Sequence, residues 1–179
     1  MEFQTVLENR RSVRSYDDSK KVTKEQINEI VEAAIQAPSW KNSQTARYYC
    51  ILDADKSRDF AQKCLLHGND KKVDGAALVV TTFVSNRAGF DREGNPDNEC
   101  GNGWGYYDLG LQNGNLLLKA AELGLDTLVM GIRDGEALRE LLNIPDSENV
   151  VSVIAVGYRG QEPPERPKRK ELEVVAKFI

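Results

Sequence analysis

Between Tyr106 and Leu123 the chain sets Leu109, Leu116, Leu117 and Ala120 at helical spacing, and Leu111 and Leu118 widen the same apolar face. A helix apolar over so much of its girth is stable only under cover, so the spacing predicts a long, deeply buried helix. Gly124, just past it, can adopt the left-handed conformation that ends helices. Whatever else this chain forms must pack around that helix.

The flanking segments alternate in period. Residues 2–10 place Phe3, Val6 and Leu7 on one helical face, stopping near Arg11. Thr23 and Gln26 form a capping box, after which Ile27, Ile30, Val31, Ala34 and Ile35 make an apolar stripe that ends before Pro38. Strands are expected at 47–53, 76–84, 125–131 and 150–158, and further helices at 56–66 and 134–143, the last opened by Asp134. Residues 85–105, rich in Gly, Asn and Asp, read as a long loop or lid. From Gln161 the chain turns polar, with three prolines and four basic residues by Lys170, then closes on the apolar-tipped segment 174–179. That pattern predicts an extended arm, 161–179, which has to dock somewhere, a partner subunit being one candidate.

With 179 residues, 40% of them hydrophobic, one α+β domain is expected. A net charge of -4 argues against broad binding of nucleic acid or anionic membrane. The apolar run 76–80 is too short for a bilayer and the N-terminus lacks a secretory pattern, so a cytoplasmic protein is expected. Cys50, Cys64 and Cys100 are widely spaced and His67 is the sole histidine, so no metal site and no disulfide framework is suggested. Cys50 reads as a buried strand residue.

Four clusters hold groups that could carry chemistry. Arg10, Arg11, Ser12 and Arg14 bring three cations into five positions, an arrangement that an anion such as phosphate would relieve. Composition alone favours the plainer reading of solvated charges paired with Asp17 and Asp18. The segment Pro38, Ser39, Trp40, Lys41, Asn42, Ser43, Gln44 supplies amides able to read a heterocycle edge and an indole face for stacking, or is a plain polar turn. Met130 and Gly131 end a strand where a flat ligand could approach backbone. Arg166, Lys168, Arg169 and Lys170 make the arm basic. Walker, GxGxxG, GxSxG and HExxH patterns are all absent from the sequence.

Taken in order, an Arg-Arg-Ser-x-Arg helix end, Ala-Pro-Ser-x-x-Asn-x-Gln after the second helix, a Gly-containing strand end and a Pro- and Arg/Lys-rich arm, the chain resembles the FMN-dependent nitroreductase family over nearly its whole length. The resemblance implies a central, mainly antiparallel sheet surrounded by helices, in an intertwined homodimer with exchanged C-terminal arms and two FMN sites at the interface. It implies that Arg10, Ser12 and Arg169 hold the FMN phosphate, helped by Arg11 and Lys168, and that Arg14 faces the pyrimidine edge of the ring, where a cation favours the reduced flavin. Pro38, Ser39, Trp40 and Asn42 would pack on the flavin from the partner subunit, Met130 and Gly131 would bring backbone groups near N5, and Asn69 would reach a polar edge.

The activity implied is reduction of bound FMN by NADH or NADPH and transfer to a nitroaromatic, a quinone or a related small acceptor. The same scaffold would also suit a reductive dehalogenase, another dehydrogenase or a flavin-binding sensor without turnover. Thr45, Ala46 and Arg47 stand where many relatives have Pro-Trp, which bears on the acceptor more than on the cofactor.

Overall fold

The computed structural model describes residues 2–179. Four strands, β1 (Ala46–Ile51), β2 (Ala77–Val84), β3 (Asp126–Met130) and β4 (Glu148–Gly157), form one sheet in the order β1-β2-β4-β3 with every neighbouring pair antiparallel. The helices are α1 (Phe3–Asn9), α2 (Lys24–Ala34), α3 (Ala54–Cys64), α4 (Gly103–Glu122), α5 (Gly135–Leu142) and a single turn, α6 (Leu172–Val175), in the arm.

Side-chain alternation along the central strand sorts the core into two layers. Leu78 and Val80 of β2 pack with Phe60 and Cys64 of α3 and Leu138 of α5, whereas Ala77 and Val79 pack with Ile30 of α2 and Leu116 and Ala120 of α4. Strand β2 is buried on both faces, which is why its sequence runs apolar from Ala77 to Val80 and why buried Thr81 and Thr82 take side-chain partners in Ser152 and Glu148 of β4. Each such Leu or Val adds roughly 1.5–3 kcal/mol of burial. Helix α4 approaches β2 closely enough that a Cβ on Gly105 would stand 2.3 Å from the Phe83 ring. A side chain there would force the two elements apart.

Local signals set the element ends. Thr23 and Gln26 form both halves of the capping box of α2, and Asp134 accepts from the N–H groups of Glu136 and Ala137 at the start of α5. Gly124 ends α4 at φ +74°, and Asn143, unforeseen in the sequence, ends α5 at φ +52°.

Three expectations change. Helix α4 begins at Gly103, so the loop expected at 85–105 is shorter, and it is anchored: Phe90 pairs with Pro96 across a small hairpin, while Asp91 accepts from Asn95 N–H at 2.7 Å and Glu93 N–H at 3.0 Å. Cys50 is exposed, because β1 is the outer strand of the sheet. Helix α4 is buried on one face only: Tyr106, Tyr107 and Leu111 on the other are exposed. The arm 161–179 runs out almost wholly exposed, with Phe178 91% exposed. Among the described residues no helix is long and apolar enough to cross a membrane.

Candidate functional site

The Arg10–Arg14 segment lies along the free side of β3. Ser12 forms a parallel bridge to Thr127, Val13 N–H donates to the Thr127 carbonyl at 3.0 Å, and Val13 is buried as the anchor of this segment. Farther on, Asp17 N–H donates to Tyr158 O at 2.9 Å and Gly160 N–H to Ser15 O at 2.8 Å, which stitches the segment to the chain just beyond β4. Backbone contacts therefore fix the motif while its polar side chains remain available.

The charges of that motif find no carboxylate. Among the described residues, Arg10, Arg11, Arg14, Arg166, Lys168 and Arg169 make no salt bridge. Asp17, a possible partner on sequence grounds, pairs with Lys20 at 3.3 Å. Arg14 and Arg169 bond only to the carbonyls of Ser12 and Pro167. Partial burial, followed by repulsion from Arg166, Arg169 and Arg11, pulls the Arg10 guanidinium below its ordinary pKa. The helix end and the arm, more than 150 positions apart, thus gather cations around one point. Nearby Arg159 shows the alternative, forming a two-pronged pair with Asp126 through bonds of 2.9 Å each.

At the far end of β3, Gly131 is exposed and a Cβ built on it would meet nothing within 4 Å. Since Thr127 turns its carbonyl outward to Val13, period-two alternation turns Val129 and Gly131 outward as well and directs the backbone of Met130 into the β4 ladder. Met130 is itself buried, so Gly131 is the residue of the pair that offers backbone to a ligand. Asn69 is buried beside this end, but its amide donates to Ile132 O at 3.2 Å and accepts from Lys72 Nζ at 2.9 Å. Asn69 holds the strand end in place, and Lys72, which sequence reasoning missed, puts a cation there. The legible signal was Asn69-x-x-Lys72, one turn of 3-10 helix that brings the two side chains together.

Pro38, Ser39, Trp40 and Asn42 lie elsewhere. Trp40 N–H donates to buried Asp108 of α4 at 2.8 Å, the Trp40 and Trp104 rings stand 4.3 Å apart, and Tyr107 packs edge-on to Trp104 at 5.6 Å. Trp40 Nε1 and Lys41 Nζ both donate to Asp97, at 3.2 and 2.7 Å. Ser39 Oγ accepts from Gln44 N–H and Asn42 Oδ1 from the Gln44 amide. Lys41, Asn42 and Gln44 all have positive φ, at 47°, 54° and 48°. Left-handed backbone at non-glycine residues costs about 1 kcal/mol or more each and clusters at functional sites.

Sheet register shows how far apart these halves are. Trp40 precedes the Ala46 end of β1, level with Phe83 and Asn149, whereas Ser12 lies at the opposite edge, beside Thr127 and the Asp126–Gly157 pair. That separation is about 14 Å across three strand spacings and about 26 Å along the strands. One copy of the chain cannot close both clusters on one small ligand.

The donor set along β3 fits a mononucleotide phosphate: uncompensated guanidiniums, the Ser12 hydroxyl, and an open Gly131 farther along the same edge. Comparison with known proteins agrees. The chain is 29% identical over 172 residues to an FMN reductase [NAD(P)H] of Bacillus subtilis, covering 90% of this chain and 68% of that one. It is similar to a solved oxidoreductase containing FMN, with a TM-score of 0.81 at 26% identity over 96% of this chain and 89% of the other. A nitroreductase family protein from Streptococcus pneumoniae TIGR4 shares the fold, with a TM-score of 0.83 at 20% identity, covering 99% of this chain and 100% of that one. The profile of the Nitroreductase family matches residues 7–158, and the chain belongs to that family of flavin oxidoreductases.

Proposed function

We propose that the protein is a homodimeric, FMN-dependent oxidoreductase that uses NADH or NADPH to reduce a nitroaromatic, quinone or related small acceptor in a ping-pong cycle. The observation that carries this reading is the set of guanidiniums around Arg10 that lacks any carboxylate. Arg10, Arg169 and Ser12 hold the phosphate, with Arg11 and Lys168 adding charge; Arg14, tethered only to Ser12 O, supplies positive charge toward the ring. The chemistry contributed by bound FMN is acceptance of a hydride and delivery of the electron pair, so no nucleophile or metal from the chain is required. Positive charge from Arg14 and Lys72 favours the electron-rich form over the oxidised one.

Two features support the dimer. The clusters at opposite corners of the sheet meet only if Pro38, Ser39, Trp40 and Asn42 come from a second copy. The surfaces such a dimer would bury are also present: Tyr106, Tyr107 and Leu111 on the open face of α4, and Leu172, Val174, Val175 and Phe178 on the arm. Together they exceed the scattered apolar exposure ordinary for a monomer.

The test is optical. The purified protein should be yellow, or take up added FMN, and NADH or NADPH under anaerobic conditions should bleach it, with colour returning on addition of a nitroaromatic. A colourless chain that takes up no FMN overturns the reading; flavin that neither nucleotide bleaches leaves a flavin-binding protein without this turnover.

A further inference from the structure

Beside Trp40 lies an open cavity of about 490 Å³ walled by Trp40, Lys41, Ser43, Arg87, Phe90 and Arg92. Its charge is one-sided. Arg87 and Arg92 have no carboxylate partner among the described residues, and Lys41 is paired only with Asp97, which is not part of the wall. The one acid in the wall, Asp91, directs its oxygens into its own turn, toward Glu93 N–H, Asn95 N–H and the Asn95 amide. Those bonds, the Asn95 N–H foremost, hold Asp91 below the usual carboxylate pKa.

Backbone conformation also marks the cavity as a ligand site. The wall is built from strained backbone: Lys41 and Asn86, on either side of it, have φ of 47° and 55°. Strain is retained where the surroundings hold it, and the Asn86 side is held firmly, by reciprocal bonds with Asn102 at 2.7 and 2.9 Å and by Ser85 N–H to Ser147 O at 2.7 Å. Two rings and two guanidiniums without a carboxylate partner constitute recognition for an aromatic anion.

We propose that this cavity selects the acceptor, taking a planar aromatic compound that carries a carboxylate or similar anionic group, its ring against Trp40 and Phe90 and its charge on Arg87 and Arg92. The proposal rests on the reading above that Trp40 flanks the flavin of the partner copy.

The probes are 4-nitrobenzoate and uncharged nitrobenzene, each titrated calorimetrically into the flavin-loaded protein and each used as acceptor with NADH in excess. Wild type should bind 4-nitrobenzoate about tenfold more tightly and show a similar preference in kcat/KM. Arg87→Ala/Arg92→Ala should abolish the preference, and Arg87→Lys/Arg92→Lys should restore part of it. Equal affinity for the two probes in wild type, or a preference that survives the double alanine substitution, overturns the proposal. So does a double variant that changes the NADPH to NADH ratio and leaves the nitrobenzoate to nitrobenzene ratio intact, since the cations then read the nucleotide phosphate. If the protein takes up no FMN, the proposed function fails while the same calorimetry on the purified chain still decides whether the cavity prefers the anion.

Discussion

The two corners of the sheet are built on opposite principles. At the β3 edge, Arg10, Arg11, Arg14 and Arg169 are held by backbone and carry charge that no carboxylate among the described residues pairs with. At the β1 edge, Pro38–Gln44 is held by its side chains: Trp40 on Trp104, its N–H on Asp108, Lys41 on Asp97. The first corner has the character of a receptor missing its counter-charge, the second that of a finished wall. Substitutions at the first should therefore change ligand affinity with little effect on the fold, and those at the second should change the fold first.

The largest expected effect is at Arg10. Arg10→Ala removes a guanidinium that can grip phosphate in two-pronged fashion, and FMN affinity, measured by flavin fluorescence titration, should fall about 100-fold, roughly 3 kcal/mol. The flavin-free protein should melt no lower than wild type, because the substitution relieves repulsion with Arg166, Arg169 and Arg11. Arg14→Ala should instead retain flavin and lose reducibility by NADH. Equal losses of flavin in both variants would erase the distinction between the two arginines.

Gly89→Ala tests the other corner. Its φ is +83°, and a Cβ there would lie 2.6 Å from the Trp104 ring and 2.7 Å from Gly101 O, so overpacking and backbone strain add. Destabilisation of about 2–3 kcal/mol is expected, lowering Tm by roughly 4–12 °C for a chain of this size. An unchanged Tm would show that the loop is not the stiff wall described here. Gly131→Ala is the matched contrast at the β3 edge, where a Cβ meets nothing. Tm should hold while FMN affinity falls about tenfold, and a change in Tm with affinity intact would place the ligand elsewhere.

What the sequence made legible follows the same division. Periodicity and caps located α2, α4, α5 and the strands, since Thr23, Asp134 and Gly124 act through their immediate neighbours. Arg10 and Arg169 were legible as a pair only through family resemblance; the composition around Arg10 fits solvated charge as well, and only the structure shows Asp17 turned to Lys20. The exposed edge position of Cys50 and the cavity at Arg87 were not legible. Each depends on which strand is outermost or on which distant loop folds beside it, and no local pattern carries that information. The deep burial expected of α4 failed at Tyr106, Tyr107 and Leu111 for a related reason, because apolar spacing alone does not distinguish a face that packs on the core from one left exposed.

The smallest effect sharpens the comparison most, because it concerns the buried acid that anchors the β1 corner to α4. Asp108 is buried in α4, and burial raises its carboxyl pKa despite the opposing bond from Trp40 N–H. A folded pKa above the unfolded one means that the native state holds the proton more tightly. The stabilisation this gives is complete below the unfolded pKa, near 4, and is lost as pH rises through the raised folded value. Denaturant midpoints followed upward from about pH 4 should therefore contain a declining contribution from Asp108, and Asp108→Asn should remove it. The variant keeps a carbonyl oxygen to accept from Trp40 N–H, so any change at neutral pH should stay within about 1 kcal/mol. An identical pH profile in the two proteins would mean that Asp108 is solvated in solution, and that the wall around Trp40 is as open to water as the arginine corner across the sheet.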